Sequence, residues 1–298
     1  MMGELLIGVS SWTDKTLLAS GWYPPSVKTA EARLQYYAER FPVVEVDSTY
    51  YGMPSERNAA LWVERTDPSF TFNVKAFSLM TGHPAQPKSL PKSLRERAPD
   101  KRTIYPKDLP RDAIEEIFEM FRRALMPLHS AGKLGCVLFQ FPEWFVPSKA
   151  NKDEVLRCKE RLDDYTIAVE FRQRTWMSDD ARTERTLSWL AENDVPHVIV
   201  DMPQGFASSM PSVAAVTSKQ LAVVRFHGRN TETWKKKGLT VAERFNYLYD
   251  EAELAEWQPR LFELASQAKR THAVFNNCYR DNAVRNAAQL AAMIENLE

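Results

Sequence analysis

Thr166-Ile-Ala-Val-Glu-Phe-Arg172 is the stretch that decides the fold. Side chains alternate across a β-strand, so it sorts into two faces. Ile167, Val169 and Phe171 form an apolar face, while Thr166, Ala168, Glu170 and Arg172 form one that turns polar toward the carboxyl end. The same sorting separates Val44 and Val46 from Val43, Glu45 and Asp47, and Phe70, Phe72 and Val74 from Thr71, Asn73 and Lys75. It also separates Ala222, Val224 and Phe226 from Val223, Arg225 and His227. A doubly wound open sheet carries helices on both faces, so its strands should be apolar on both. One apolar face and one polar-ending face suit a closed barrel, with helices outside and a lumen inside.

Eight apolar runs recur, at 5–10, 43–48, 70–75, 134–140, 166–170, 197–201, 221–225 and 272–276, and nearly every one ends in a polar or charged residue. Helical spacing fills most of the gaps, at 29–41, 55–65, 111–130, 181–192, 251–269 and 281–297. The alternation predicts an α/β fold: a single (β/α)8 TIM-type barrel over residues 1–298. Two connections depart from regularity. Residues 77–110 hold six prolines, with seven Lys/Arg against three Asp/Glu. Loops this long are commonly lids or binding loops, so this one is a candidate lid, with Lys88, Lys92, Arg95 and Arg97 reaching a ligand. Residues 202–219 hold Pro203, Gly205 and Pro211, so the sixth helix should be short and irregular.

Lys plus Arg equals Asp plus Glu, 39 each, which argues against a dedicated nucleic-acid or anionic-membrane binder. Cys136, Cys158 and Cys278 are odd in number and lack C-x-x-C spacing, which suggests reduced thiols in a cytoplasmic protein. The first twelve residues lack the basic start and long apolar core of a signal peptide, and no apolar run reaches membrane-spanning length.

In a TIM barrel the carboxyl ends of the strands face the active site. That rule selects Glu45, Asp47, Lys75, Gln140, Glu170, Arg172, Asp201, Arg225 and His227, with Asn276 and Asn277 on the last strand. Charges rarely go fully inside unless paired, so the bland reading is a self-satisfying ion-pair network. The functional reading is a ligand site in a cleft. Trp12, Trp22, Tyr23, Tyr50, Tyr51, Trp144, Trp176 and Trp234 gather near the same ends; Trp12 and Tyr51 join the binding set.

These residues sit in recognisable segments. Gly21-Trp-Tyr-Pro24, Val44-Glu-Val-Asp-Ser-Thr-Tyr-Tyr51, Phe72-Asn-Val-Lys-Ala76, Leu138-Phe-Gln-Phe-Pro142, Ala168-Val-Glu-Phe-Arg172, Val224-Arg-Phe-His-Gly-Arg-Asn230 and Phe275-Asn-Asn277 resemble the family called Domain of Unknown Function 72, also known as YecE-like. The resemblance runs over nearly the whole chain and implies a TIM-barrel fold without implying an activity. One departure is Thr81-Gly-His83, where the family reads Thr-His directly.

No G-x-x-x-x-G-K-[ST], G-x-G-x-x-G or H-E-x-x-H motif is present, which leaves a nucleotide fold or a zincin unsupported. Of five histidines, His83 and His227 can reach the mouth; His197 and His272 begin strands and His129 lies near a helix end. Glu45, Asp47, Glu170, Asp201 and His227 could ligate a metal, but Lys75, Arg172 and Arg225 offset that negative charge, so neither metal nor cofactor is expected. The expected function is an enzyme using acid/base chemistry on a polar or anionic small molecule. Glu170 and Asp47 would transfer protons, Lys75 and His227 would support them, and Arg172, Arg225 and Arg229 would bind oxyanions. Paired carboxylates with aromatics also fit glycoside hydrolysis. The alternatives are nucleic-acid processing through the basic loop and Lys235-Lys-Lys237, a metal-dependent isomerase or hydrolase, and a barrel that only binds.

Overall fold

The computed structural model describes residues 2–296. Eight parallel strands alternate with helical segments along the chain: β1 Glu4–Ser10, β2 Val43–Val46, β3 Thr71–Lys75, β4 Leu134–Gln140, β5 Ile167–Glu170, β6 Val198–Asp201, β7 Leu221–Phe226 and β8 Arg270–Phe275. Their hydrogen-bonded order is β5-β4-β3-β2-β1-β8-β7-β6, the TIM-type (β/α)8 topology that the alternation predicts. β2 stops earlier than its apolar run because Ser48–Tyr50 turns into a 3-10 segment. The Thr49 hydroxyl lies 2.9 Å from Val46 O and 2.5 Å from Lys75 O and draws the chain round there.

The main helices are α1 Ala30–Ala38, α2 Glu56–Glu64, α3 Arg111–Ser130, α4 Lys149–Arg161, α5 Asp180–Glu192, α6 Gln258–Gln267 and α7 Asn282–Glu295. Side-chain oxygens start several of them: Thr29 accepts from Ala32 N, Ser55 from Asn58 N and Ser148 from Asn151 N. The expected helix 251–269 is two pieces, Glu251–Ala255 and α6, because Trp257 and Pro259 restart it. The expected helix end at Leu297 lies outside the described residues. α4 has no counterpart in the periodic reading: it buries only Val155 and Cys158. Among the described residues there is no helix between β6 and β7. Pro203 and Pro211 deny donors there, and Ser209 Oγ donates to Pro203 O at 2.5 Å.

The chain packs as two compact units, one of residues up to Glu45 with those from Arg174 onward, the other Val46–Gln173. In the first unit β1 pairs with β2 (Gly8↔Val43) and β8, and β7 pairs with β8 and β6. Gly8 is required there, because a Cβ would lie 1.9 Å from Val43 O. Phe226 stacks on Phe275 at 4.3 Å and meets Trp257 edge-on at 4.9 Å, a core where each aromatic pair adds about 0.5–1.5 kcal/mol.

In the second unit β3 pairs with β4, and β4 with β5 in the register Gln140↔Glu170. Lys133 is buried here; its ammonium donates to Val63 O at 2.9 Å, Thr66 O at 2.8 Å and Thr66 Oγ1 at 2.8 Å, and so closes the end of α2. The 77–110 connection is more ordered than its prolines suggest. It holds short turns at Ser78–Thr81, Pro87–Ser89, Lys92–Arg95 and Pro106–Asp108 and a bridge between Ala85 and Ile104. Leu79, Met80, Leu90, Leu94 and Ile104 are buried. Its basic side chains are partly committed: Arg97 pairs with Asp112 and Glu116 of α3, and Arg95 donates to Lys88 O and Leu90 O. Those two arginines therefore fasten the loop, in place of the expected reach toward a ligand; Lys88 and Lys92 are exposed.

Candidate functional site

β3 delivers Lys75 at its carboxyl end, and the turn after β2 delivers Asp47 and Tyr50. The Lys75 ammonium is 3.4 Å from Asp47 Oδ1 and 4.9 Å from the centre of the Tyr50 ring. Burial pushes the Tyr50 hydroxyl up to about 12, so the ring carries a neutral phenol. The connection after β3 then folds back. Gly82 ends the Ser78–Thr81 turn at φ +80°, which a residue with a Cβ rarely adopts, and His83 N bonds Ser78 O at 3.0 Å. Gly82 is thus what turns His83 back against Ser78.

The His83 ring meets Tyr50 at 5.4 Å and Trp144 at 5.6 Å, edge-on to both. Its Nδ1 lies 2.8 Å from Thr81 Oγ1, and that hydroxyl is 3.0 Å from Ser78 O. With the hydroxyl hydrogen directed at Ser78 O, Nδ1–H donates to Oγ1 and Nε2 carries the lone pair. His83 is lowered to about 4, first by burial and then by the positive charges of Lys75 and Arg172, so its imidazole is neutral near pH 7. Arg172 binds the fully buried Glu170 carboxylate through Nε and Gln140 Oε1 at 3.2 Å through a terminal nitrogen. The β4–β5 register sets those two acceptors side by side. Tyr51 and Trp144 are exposed. In this unit, then, Asp47 meets Lys75 and Tyr50, while Gln140, Glu170 and Arg172 form a second group whose arginine charge reaches His83. The arrangement can hold an anion on two cations beside a neutral imidazole.

In the first unit the expected residues are tied differently. Arg225 donates to Glu45 through Nε (2.9 Å to Oε2) and a terminal nitrogen (2.5 Å to Oε1), and Ser10 Oγ adds 2.9 Å to Oε1. Asp201 accepts from Arg229 Nε at 3.0 Å, Tyr249 OH at 3.0 Å and Trp257 Nε1 at 2.7 Å. Arg229 also reaches Glu253 and Glu256; its hydrogen bonds to the Asp201 carboxylate lead in raising its pKa, with Glu256 adding to it. An oxyanion there would compete with three carboxylates. His227 Nδ1 is 2.9 Å from Asn276 Nδ2, in a buried setting beside Phe245 and Trp234. Asn277 donates to Tyr247 O and Asn286 Oδ1, each at 2.9 Å. Trp12 is buried, with its carbonyl accepting from Tyr23 OH at 2.6 Å. Trp22 packs against Tyr23 and Tyr36, and Trp176 against Trp189, so these rings are packing groups rather than rim groups.

Tyr249, Trp257, Glu253 and Glu256 were not legible as partners of Asp201 and Arg229, because they come from helical segments and turns remote in sequence. Among the described residues no group of three or more His, Cys, Asp or Glu is arranged to hold a metal ion. No helix among them is long and apolar enough to cross a membrane.

A family model described as "Protein of unknown function DUF72" matches residues 6–298. The chain belongs to the DUF72 family. A curated relative, UPF0759 protein YunF of Bacillus subtilis (strain 168), is 35% identical over 295 residues, covering 98% of this chain and 95% of the relative. A solved DUF72 family protein of Enterococcus faecalis V583 is similar at a TM-score of 0.79 and 25% identity, covering 98% of this chain and 95% of the other. A second, from Thermotoga maritima MSB8, gives 0.76 at 29% identity, over 98% and 99%. The family membership agrees with the segments carrying Glu45, Asp47, Lys75, Gln140, Glu170, Arg172 and Arg225.

Proposed function

We propose that this DUF72 protein is an acid/base enzyme for a small anionic molecule, with its ligand site in the second unit. Lys75 and Arg172 hold the anion, Tyr51 and Trp144 flank it, and His83 Nε2 exchanges the proton. Asp47 and Glu170 orient the two cations in place of transferring protons themselves, because each carboxylate is already engaged by one of them. The observation that carries this reading is the His83 imidazole, kept neutral beside two cations and between two aromatic rings.

The two cations give the site a built-in response. Even with a carboxylate on each of them, their field opposes protonation of His83. A bound anion offsets that field, so His83 gains basicity when the ligand arrives. Histidine NMR during titration with inorganic phosphate and with phenyl phosphate tests this. The expected result is saturable binding that raises the His83 pKa toward its ordinary range, weakened about tenfold by Lys75→Met, the loss of one charge-assisted contact. Absence of any His83 response at millimolar concentrations of either compound rejects the reading.

A further inference from the structure

The second unit also holds a cavity of about 680 Å3, within the range of small-molecule sites. Its wall is apolar: Phe141 and Phe145 stack at 4.1 Å with planes 15° apart, and Leu79, Met80 and Ile114 join them. Trp144, 60% exposed, stands at its edge.

The charges on its rim are unevenly matched. Arg161 is bound by Glu115 (Nε to Oε2, 2.9 Å) and by Glu154 at 3.4 Å, so those three groups answer one another. Lys107 and Arg111 also line the cavity and are exposed. Among the described residues neither of them forms an ion pair. The carboxylate next to Lys107, Asp108, is held by Lys101 at 2.6 Å and Tyr105 N at 2.9 Å. The cavity therefore combines a stacking wall with two cations that no ion pair among the described residues holds, although Lys107 stands 5.8 Å from the centre of the Tyr105 ring and its charge is felt by Asp108.

We propose that this cavity binds an aromatic anion, with its ring system against Phe145 and Trp144 and its carboxylate, sulfonate or phosphate between Lys107 and Arg111. Charge complementarity selects the anion: a cation would meet Lys107 and Arg111, and the rim carboxylates are occupied by Arg161. The aromatic wall selects the ring, since flat rings gain from offset or edge contact with Phe and Trp beyond the area they bury. This cavity adjoins the site around Lys75, His83 and Arg172: Thr81 and Trp144 border both, but none of those three residues lines it.

The test uses 1-anilinonaphthalene-8-sulfonate, an aromatic monoanion, titrated into the full chain and followed by its fluorescence. Saturable binding at one site per chain is expected. Lys107→Glu combined with Arg111→Glu, both at exposed positions, should weaken it about tenfold or more. Ile114→Trp, which fills the cavity, should abolish it. Lys75→Met should leave it unchanged, which separates this proposal from the reading of the His83 site. Thermal unfolding checks that each variant is folded. Unchanged affinity in the Lys107→Glu/Arg111→Glu variant overturns the proposal. So does equal affinity for uncharged N-phenyl-1-naphthylamine, which would make the cavity merely apolar. Displacement of the probe by inorganic phosphate at comparable concentration would also overturn it, because a ring would then contribute nothing.

Discussion

Arg225 with Glu45 and Lys75 with Asp47 are ion pairs of the same kind, each linking strand-end residues within one unit. Their access to water differs. The Arg225 and Glu45 side chains are 0% and 1% exposed, those of Lys75 and Asp47 13% and 28%. Arg225 meets its carboxylate with two nitrogens and Ser10 completes the cage, whereas Lys75 makes one longer contact and shares its charge with the Tyr50 ring. A charge at a strand end does not by itself mark a site. A sealed, mutually saturated pair behaves as core; an open pair remains able to meet a ligand.

The largest effect should come from breaking the sealed pair. Glu45→Gln leaves a buried guanidinium without its countercharge and should cost about 3–5 kcal/mol of stability. Lys75→Met should cost about 1 kcal/mol or less, because water compensates an open pair. Urea unfolding at pH 7 measures both, and equal losses would erase the contrast between the two pairs.

Acid sharpens the comparison next. His272 of β8 is wholly buried, and burial, helped by Arg270, lowers it to about 3. An unfolded histidine titrates near 6.5, so between pH 6.5 and 3 the unfolded chain binds the extra proton. Stability should then fall as pH drops through that window, by up to about 1.4 kcal/mol per pH unit from this group. His272→Gln should flatten the profile of urea midpoints against pH. An unchanged profile would show that other groups govern acid unfolding. His83 works in the same direction from 6.5 to about 4, with a smaller contribution because it is partly exposed.

A smaller effect separates burial from charge at His83. Removing one cation by Lys75→Met should raise its pKa only part of the way to 6.5, since burial is the larger cause. A complete return in the NMR titration would reverse that ranking. Smallest of all, Arg97→Ala removes an exposed double pair to Asp112 and Glu116 and should cost about 0.5–1 kcal/mol in thermal unfolding, where a larger loss would make the 77–110 loop a major support.

The strands were legible because period-two alternation is local: four residues of β5 suffice to separate Val169 from Glu170. Which polar strand-end residues meet was not, since Glu45 and Arg225 lie 180 residues apart. Asp201 finds Tyr249 and Trp257 48 and 56 residues later, on segments with no strand signal of their own. α4 escaped notice because two buried residues in thirteen leave no apolar stripe, and Ser148 was its one clear marker. His83 could be named as a candidate, but its placement depends on a left-handed glycine and a returning loop, which side-chain periodicity does not encode.

Lys133 adds a consequence for chemistry on the folded chain. Its three acceptors occupy all three ammonium hydrogens, and burial lowers its pKa, so a closed helix end hides the amine from acylating reagents. Acetylation would leave two carbonyls and a hydroxyl without their donor. Modification of this one lysine therefore clocks how often the end of α2 springs open, and mass spectrometry of the labelled peptide can follow that opening over time.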